Sequence, residues 1–328
     1  MRFLLRRLMF YAVALWGALT LNFLLPRLAP GSPLDGLVSR LPPAQLQANP
    51  HMVENLRAVL GGDDESLIRA YPTYLAHVLT GNFGVSTSNF PAPVSEVIAN
   101  TLPYSIFLVG TGFILAFLLG VGLGMIAAWR RGGIVDNVLT PTLISLAAFP
   151  AFFTALVAVY FLGLKAGWFP VQHAYSSEIQ PAFTWAFLTD AFRHAQLPLL
   201  VIIFVYAGGW LLSMRNVMVN TVAEDYVAMG HAKGLRDSRV MTMYAGRNAI
   251  LPPLTGFATL FGSAVGGLIF IEYVFSYPGV GLTLQQSALG SDYPLTQALL
   301  LVFALCVLVA NLIMDVLYVI LDPRVRSS

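Results

Sequence analysis

Six stretches of this chain hold about twenty nearly uninterrupted apolar residues each, separated by polar connections. They run approximately from Leu8 to Leu28, Pro103 to Ala128, Val138 to Gly163, Gln196 to Met214, Pro252 to Val274 and Gln297 to Leu321. A helix rises 1.5 Å per residue and the hydrocarbon core of a bilayer is about 30 Å thick, so each stretch can cross a membrane as a helix. The pattern predicts an all-α, polytopic membrane protein with six transmembrane helices. It divides the chain into a tail and first helix (1–28), a long loop (29–102) and a core (103–328) that contains a polar loop over 215–251. Apolar positions in QLQANPHMVENLRAVLGG and ESLIRAYPTYLAHVLTG give the long loop two short amphipathic helices, with Asp63, Asp64 and Glu65 as a solvated turn between them.

Composition narrows the class. At 57% hydrophobic and 10% charged, the 328 residues fall far below the charge content of soluble domains. A formal net charge of +2 provides no basic field for nucleic acid. The lone Cys306 excludes an intramolecular disulfide, and five scattered histidines offer no metal-ligand spacing. The few charges set the orientation. Arg2, Arg6, Arg7, Arg130, Arg131, Arg215, Lys233, Arg236, Arg239, Arg247, Arg324 and Arg326 all fall on one side of a six-helix chain, whereas the opposite short loops hold only Lys165 and Arg193. Cytoplasmic loops carry the excess of basic residues, so both termini are expected inside and the 29–102 loop outside. The first apolar stretch is too long for a signal peptide and is expected to be retained.

Within the spans, Gly120, Gly122 and Gly124, and Gly262 and Gly266, form small-residue faces that suit close helix packing, or a path or sliding surface. Asn311, Asp315, Tyr318 and Asp322 share one face of the last helix, where a carboxylate requires a partner; an arginine of a neighbouring helix or subunit is expected, with a proton relay as the sharper alternative. Glu272, at the outer end of the fifth span, is expected to reach the headgroups.

The loop NTVAEDYVAMGHAKGLRDSRVMTMYAGRNAILPP is organised beyond what a connector needs. Thr221 with Glu224 has the spacing of a capping box, Lys233 suits the negative helix end, and Gly234 suits a left-handed stop, giving a helix of about twelve residues. A second helix is expected from Asp237 or Ser238 to about Ile250, broken by Pro252 and Pro253. Exposed Tyr226, Val227 and Met229 would make the first helix a knob for a groove on another protein, or an interfacial helix resting on headgroups.

The stretch EDYVAMGHAKGL followed by RNAILPPLT resembles the EAA loop of ABC-importer permeases of the dipeptide and oligopeptide type. The likeness extends through FLLPRLAPGSPLD, TGNFGVSTS, NTLPYS, RRGGIVDNVL, GWFPV, HAQLPLL, VFSYPGVGLTLQQSALGSDYPLTQALL and NLIMDVLYVILDPRVR, in the manner of the B-type subunit with its longer first loop. Gly230-His231 departs from the usual Ala and Arg, and Asn100 stands where an Arg often precedes Leu-Pro.

The resemblance implies a type I ABC importer permease fold in a prokaryotic inner or plasma membrane. It implies a second homologous permease subunit, two ABC ATPase subunits that bind ATP and Mg, an extracytoplasmic solute-binding protein, and no cofactor on this chain. No phosphate loop occurs here, as the only lysines, in GLKAG and HAKGL, lie outside such a motif. Carried over by position, Glu224, Asp225, Tyr226, Ala228, Met229, Gly230, Ala232, Lys233, Gly234 and Leu235 form the coupling helix region: Glu224 holds the loop, Gly234 its turn, and Tyr226 and Met229 touch the ATPase groove. The implied solute is a dipeptide or oligopeptide, with nickel complexes, glutathione or sugars as alternatives. Asp315 motivates a rival reading, an ion-coupled secondary carrier, although no inverted repeat is evident.

Overall fold

A computed structural model of the chain describes residues 2–28 and 67–321, with the side chains of 2–6, 25–28, 258–268, 314 and 317–321 left out of the description. The expected first amphipathic helix and the acidic turn of the long loop lie outside these residues. Among the described residues the regular secondary structure is helical, joined by irregular connections and with one isolated antiparallel bridge, Val85 with Pro93. Its main helices are α1 (Arg2–Leu28), α2 (Leu67–Leu79), α3 (Val94–Trp129), α4 (Thr140–Ala147), α5 (Ala151–Ala158), α6 (Trp185–Thr221), α7 (Asp225–Ala232), α8 (Leu251–Val274), α9 (Val280–Leu289) and α10 (Tyr293–Leu321).

Among the described residues, α1, α3, α6 and α10 are each long and apolar enough to cross a bilayer. The fifth expected span is the 24-residue α8. The third departs from expectation. In place of one straight helix from Val138 to Gly163, Val135–Ala147 and Ala151–Lys165 meet at 109°. The cause is local: proline disfavours a helical conformation in the residue before it, and Pro150 itself is extended (φ −56°, ψ 137°), starting α5 afresh.

The chain forms two compact units. The first comprises 1–103 and 279–309. In it α2 realises the second amphipathic segment of the long loop and packs on α1: Phe23 meets the rings of Tyr71 and Tyr74, and Thr20 shares a 2.8 Å hydrogen bond with the Tyr71 hydroxyl. Asn22, buried in an apolar helix, donates to the Gln297 carbonyl at 2.8 Å, and the Gln297 amide donates back to the Asn22 carbonyl at 2.8 Å. The two bonds satisfy the Asn22 side-chain NH2 and its backbone carbonyl, which lowers the cost of a polar group in lipid, while the buried Asn22 Oδ1 has no hydrogen-bond partner among the described residues. Asp292, fully buried, accepts from the Ser86 hydroxyl (2.6 Å), the Ser88 amide (2.8 Å) and the Leu295 amide (3.2 Å), so one carboxylate caps α10 and holds the 86–88 segment.

The second unit comprises 104–278 and 310–328, and α6 is its axis. Trp210, Leu211, Met214 and Met218 on α6 are buried, and Trp210 sits among the rings of Phe113, Phe117, Tyr206 and Phe257. Helix α3 approaches at its glycines. A Cβ on Gly120 would lie 2.5 Å from the Ala207 carbonyl oxygen, and one on Gly124 would be closer still to that of Leu211. Gly208 on α6 meets the Leu143 carbonyl of α4 in the same way. Gly120 and Gly124 therefore serve packing, while Gly122 faces open space and belongs to a different face; the surroundings of Gly262 and Gly266 lie outside the described residues.

Glu272 differs from expectation as well. It is 2% exposed and turned inward, where the Ser105 hydroxyl donates to it at 2.6 Å; a carboxylate with a hydrogen-bonding partner inside the protein does not need the headgroups. Burial pushes the phenol of nearby Tyr277 above its ordinary pKa, with Glu272 and Tyr104 adding to the shift.

Valine at Gly120 or Gly124 should force the α3 and α6 backbones apart at a cost on the order of 1–3 kcal/mol. The apparent Tm of the detergent-solubilised protein should drop for both variants and stay near the parent value for Gly122→Val.

Candidate functional site: the helix Asp225–Ala232

The polar loop folds as a short helix held at both ends. Helix α6 runs on through Thr221, whose hydroxyl donates to the Val217 carbonyl at 3.0 Å, so the expected capping box from Thr221 to Glu224 does not form. An N-cap needs extended backbone, and the first residue to supply it is Glu224 (φ −75°, ψ 144°), which caps α7 without a side-chain hydrogen bond. The helix is accordingly 8 residues long, not about twelve. Asp225 in its first turn suits the positive end of the dipole. At the other end Lys233 is the C-cap, and Gly234 takes the left-handed conformation at φ +69°. The Gly234 amide donates to the His231 carbonyl (2.9 Å) and the Leu235 amide to that of Gly230 (3.4 Å), closing the helix as a left-handed glycine stop does.

The helix has two faces. Val227 is buried, in contrast to the exposure expected from sequence, and Tyr226 and Leu235 are half-buried against the apolar core. Gly230 is buried too: a Cβ there would come within 3.3 Å of the Val240 side chain and 3.4 Å of the Tyr244 ring. The glycine that departs from the resembling pattern thus brings α7 close to the next helical stretch. That stretch, 237–249, begins at Asp237 as expected, but its centre, Val240–Gly246, is wound as a π-helix. The stretch ends at Ala249, close to the expected Ile250, and Pro252 and Pro253 occupy the first turn of α8, where the missing N–H groups cost nothing. The outer face of α7 presents Ala228, Met229 (50% exposed), His231 and Ala232, continued by Lys233, with Glu224 and Asp225 exposed at the start. It is a small apolar patch edged by charge, on a helix whose opposite face is buried.

Sequence reasoning did not anticipate two contacts, one on this helix and one on the end of α6 that precedes it. The Trp129 ring at the end of α3 stacks on His231 at 5.7 Å and 24°. Arg215, read from sequence only as an orientation charge, bonds through Nε to Asp136 at 2.6 Å. The aspartate stands in RRGGIVDNVL, and its isolated charge beside an apolar run was the available signal. Asn311 and Asp315 are half-buried on α10; Tyr318 and Asp322 lie outside the described side chains.

Residues 120–327, from the second part of α3 through α10 and including the helix Asp225–Ala232, match the family described as the binding-protein-dependent transport system inner membrane component. The chain belongs to that family. A Brucella suis biovar 1 protein whose name carries a peptide permease assignment is 34% identical over 328 residues, the full length of both chains. The oligopeptide transport system permease protein AppB of Bacillus subtilis is 30% identical over 324 residues, and the dipeptide transport system permease protein DppB of Lactococcus lactis subsp. cremoris is 30% identical over 327, each covering 99% of both chains. Membership makes the chain a multi-pass membrane permease subunit, and the helix Asp225–Ala232 lies within the matched residues.

An acidic side chain in the apolar patch should repel a docking partner, and a β-branched residue at the left-handed Gly234 should distort the helix end at a cost of about 1–2 kcal/mol. Ala228→Asp and Gly234→Val are each expected to abolish uptake in reconstituted vesicles while membrane insertion, followed by protease protection, stays normal.

Proposed function

We propose that this chain is one of two permease subunits of a peptide-importing ABC transporter. In this reading it forms half of the translocation path, with a second homologous permease, two ATPase subunits on the cytoplasmic side and a solute-binding protein outside. ATP and Mg are held by the ATPase subunits, and this chain carries no cofactor of its own. Both termini face the cytoplasm, and the 29–102 loop lies outside, where it helps meet the binding protein. The single observation that carries the proposal is the knob: an 8-residue helix with Val227 and Gly230 fixed inward and Ala228, Met229 and Ala232 left outward. A rigid, exposed apolar patch beside membrane helices suits helix-in-groove docking with a partner that pushes and pulls.

The broken third span supports a path. Ala148, Phe149 and Pro150, at the 109° break, are exposed in the single chain. Irregular backbone within a membrane is tolerated where protein or a water-filled cavity covers it, not against lipid, so this face suits the second permease or the path itself. The names of the relatives favour peptides as the solute.

The test is reconstitution with the partner subunits and binding protein in proteoliposomes, offering labelled dipeptides and oligopeptides alongside glutathione and a nickel complex. Peptide uptake that requires ATP on the ATPase side is the expected result; uptake by the isolated chain on a proton gradient alone would contradict it.

A further inference from the structure

The segment after α3 is tied to the cytoplasmic end of α6 and to α7 by three cross-links within a short distance along the chain. Asp136 accepts from Arg215 Nε at 2.6 Å through one oxygen and from the Gly132 amide at 3.0 Å through the other. Arg131 reaches the Val219 carbonyl at 3.0 Å, one helical turn further along α6. Trp129 stacks on His231 of α7. The ion pair is sheltered, with the Asp136 side chain 9% and the Arg215 side chain 29% exposed. Packing alone already joins these helices higher up, at Gly120 and Gly124. The added charges sit lower, where α6 passes into the three-residue connection to α7.

Resting on the permease reading above, we propose that Asp136 and Arg215 are positioning residues for energy coupling: their ion pair makes the α3–α4 turn, the end of α6 and the helix Asp225–Ala232 move as one body. A push on α7 alone could be absorbed by bending the connection at 222–224. Arg215 lies seven residues before that connection, and its bond to Asp136 ties the pushed helix end to a second span, so displacement enters α3 and α4 together with α6. The guanidinium is suited to this role because it is always charged and directional; an ammonium would keep the attraction without the fixed geometry. Coupling of this kind needs a discrete element that both sites bias, and a sheltered pair with a backbone amide on its second oxygen supplies one.

Two measurements test it. In the reconstituted transporter, Asp136→Asn and Arg215→Gln should lower ATP-driven uptake about tenfold while ATP hydrolysis stays within about twofold of the parent. Arg215→Lys should fall between, and the exchange Asp136→Arg with Arg215→Asp should recover much of the loss. Loss of uptake and hydrolysis in the same proportion, or no loss of either, would overturn the proposal. The second measurement needs no transport and so separates this idea from the permease reading. Spin labels at exposed Ile134→Cys and Ala232→Cys, with Cys306 replaced by Ser, should give a narrow distance distribution that broadens in Asp136→Asn and narrows again in the exchanged pair. A distribution that Asp136→Asn leaves unchanged would overturn the lock, even if the protein imports peptides as expected.

Discussion

The close approach of two backbones, α3 on α6, is the constraint on which the described core depends. Lipid offers apolar helices no hydrophobic reason to associate, so their contact rests on packing and on internally satisfied polar groups. Gly120 and Gly124 remove the side chains that would keep α3 away from the Ala207 and Leu211 carbonyls, and Gly208 does the same for α4. With its middle held this way, α6 becomes a strut from the Trp210 aromatic cluster down to Thr221. Whatever is attached to its lower end inherits that stiffness.

What is attached is a short helix with one face held and the other exposed. Its inner residues, Val227 and Gly230, fit against the core and against Val240 and Tyr244, and its ends are fixed by Glu224 and Gly234. Of the outer residues, Ala228, Met229 and Ala232 are small or apolar and exposed, and His231 stacks on Trp129. That division of labour separates holding from docking, so a partner can grip the patch without paying to order it. Polar groups elsewhere follow the same economy of pairing: Asn22 with Gln297, Asp292 with Ser86 and Ser88, Glu272 with Ser105.

Much of this was legible in the sequence because the bilayer simplifies the code. Apolar runs of the right length located five of the helices, although the one expected from Gln196 to Met214 extends over Trp185–Thr221. Gly234 could be read as a helix stop from its place alone, since few other residues accept a positive φ. The departures have two physical origins, a local one at Pro150 and tertiary context elsewhere. Thr221 has the spacing of a cap, yet α6 is long enough to run through it, and only Glu224 has the extended backbone a cap needs. Phe149-Pro150 was hidden in an apolar run whose length looked sufficient for one helix, and the 109° bend there follows from a single proline. Val227 has an apolar side chain that a loop reading leaves exposed and the fold buries. Asp136 and Arg215 are 79 residues apart, and no local pattern pairs them.

The central claim is that the outward face of the helix Asp225–Ala232 is the surface through which an ATPase drives the membrane helices. Thiol labelling from the cytoplasmic side tests it most directly, with single cysteines at Met229, Ala232 and Val227 in a Cys306→Ser background. Met229→Cys and Ala232→Cys should react readily when the permease is alone in the membrane and be protected once the ATPase subunits assemble, while Val227→Cys stays slow in both states. Equal reactivity of Met229→Cys and Ala232→Cys with and without the ATPase subunits would contradict the account.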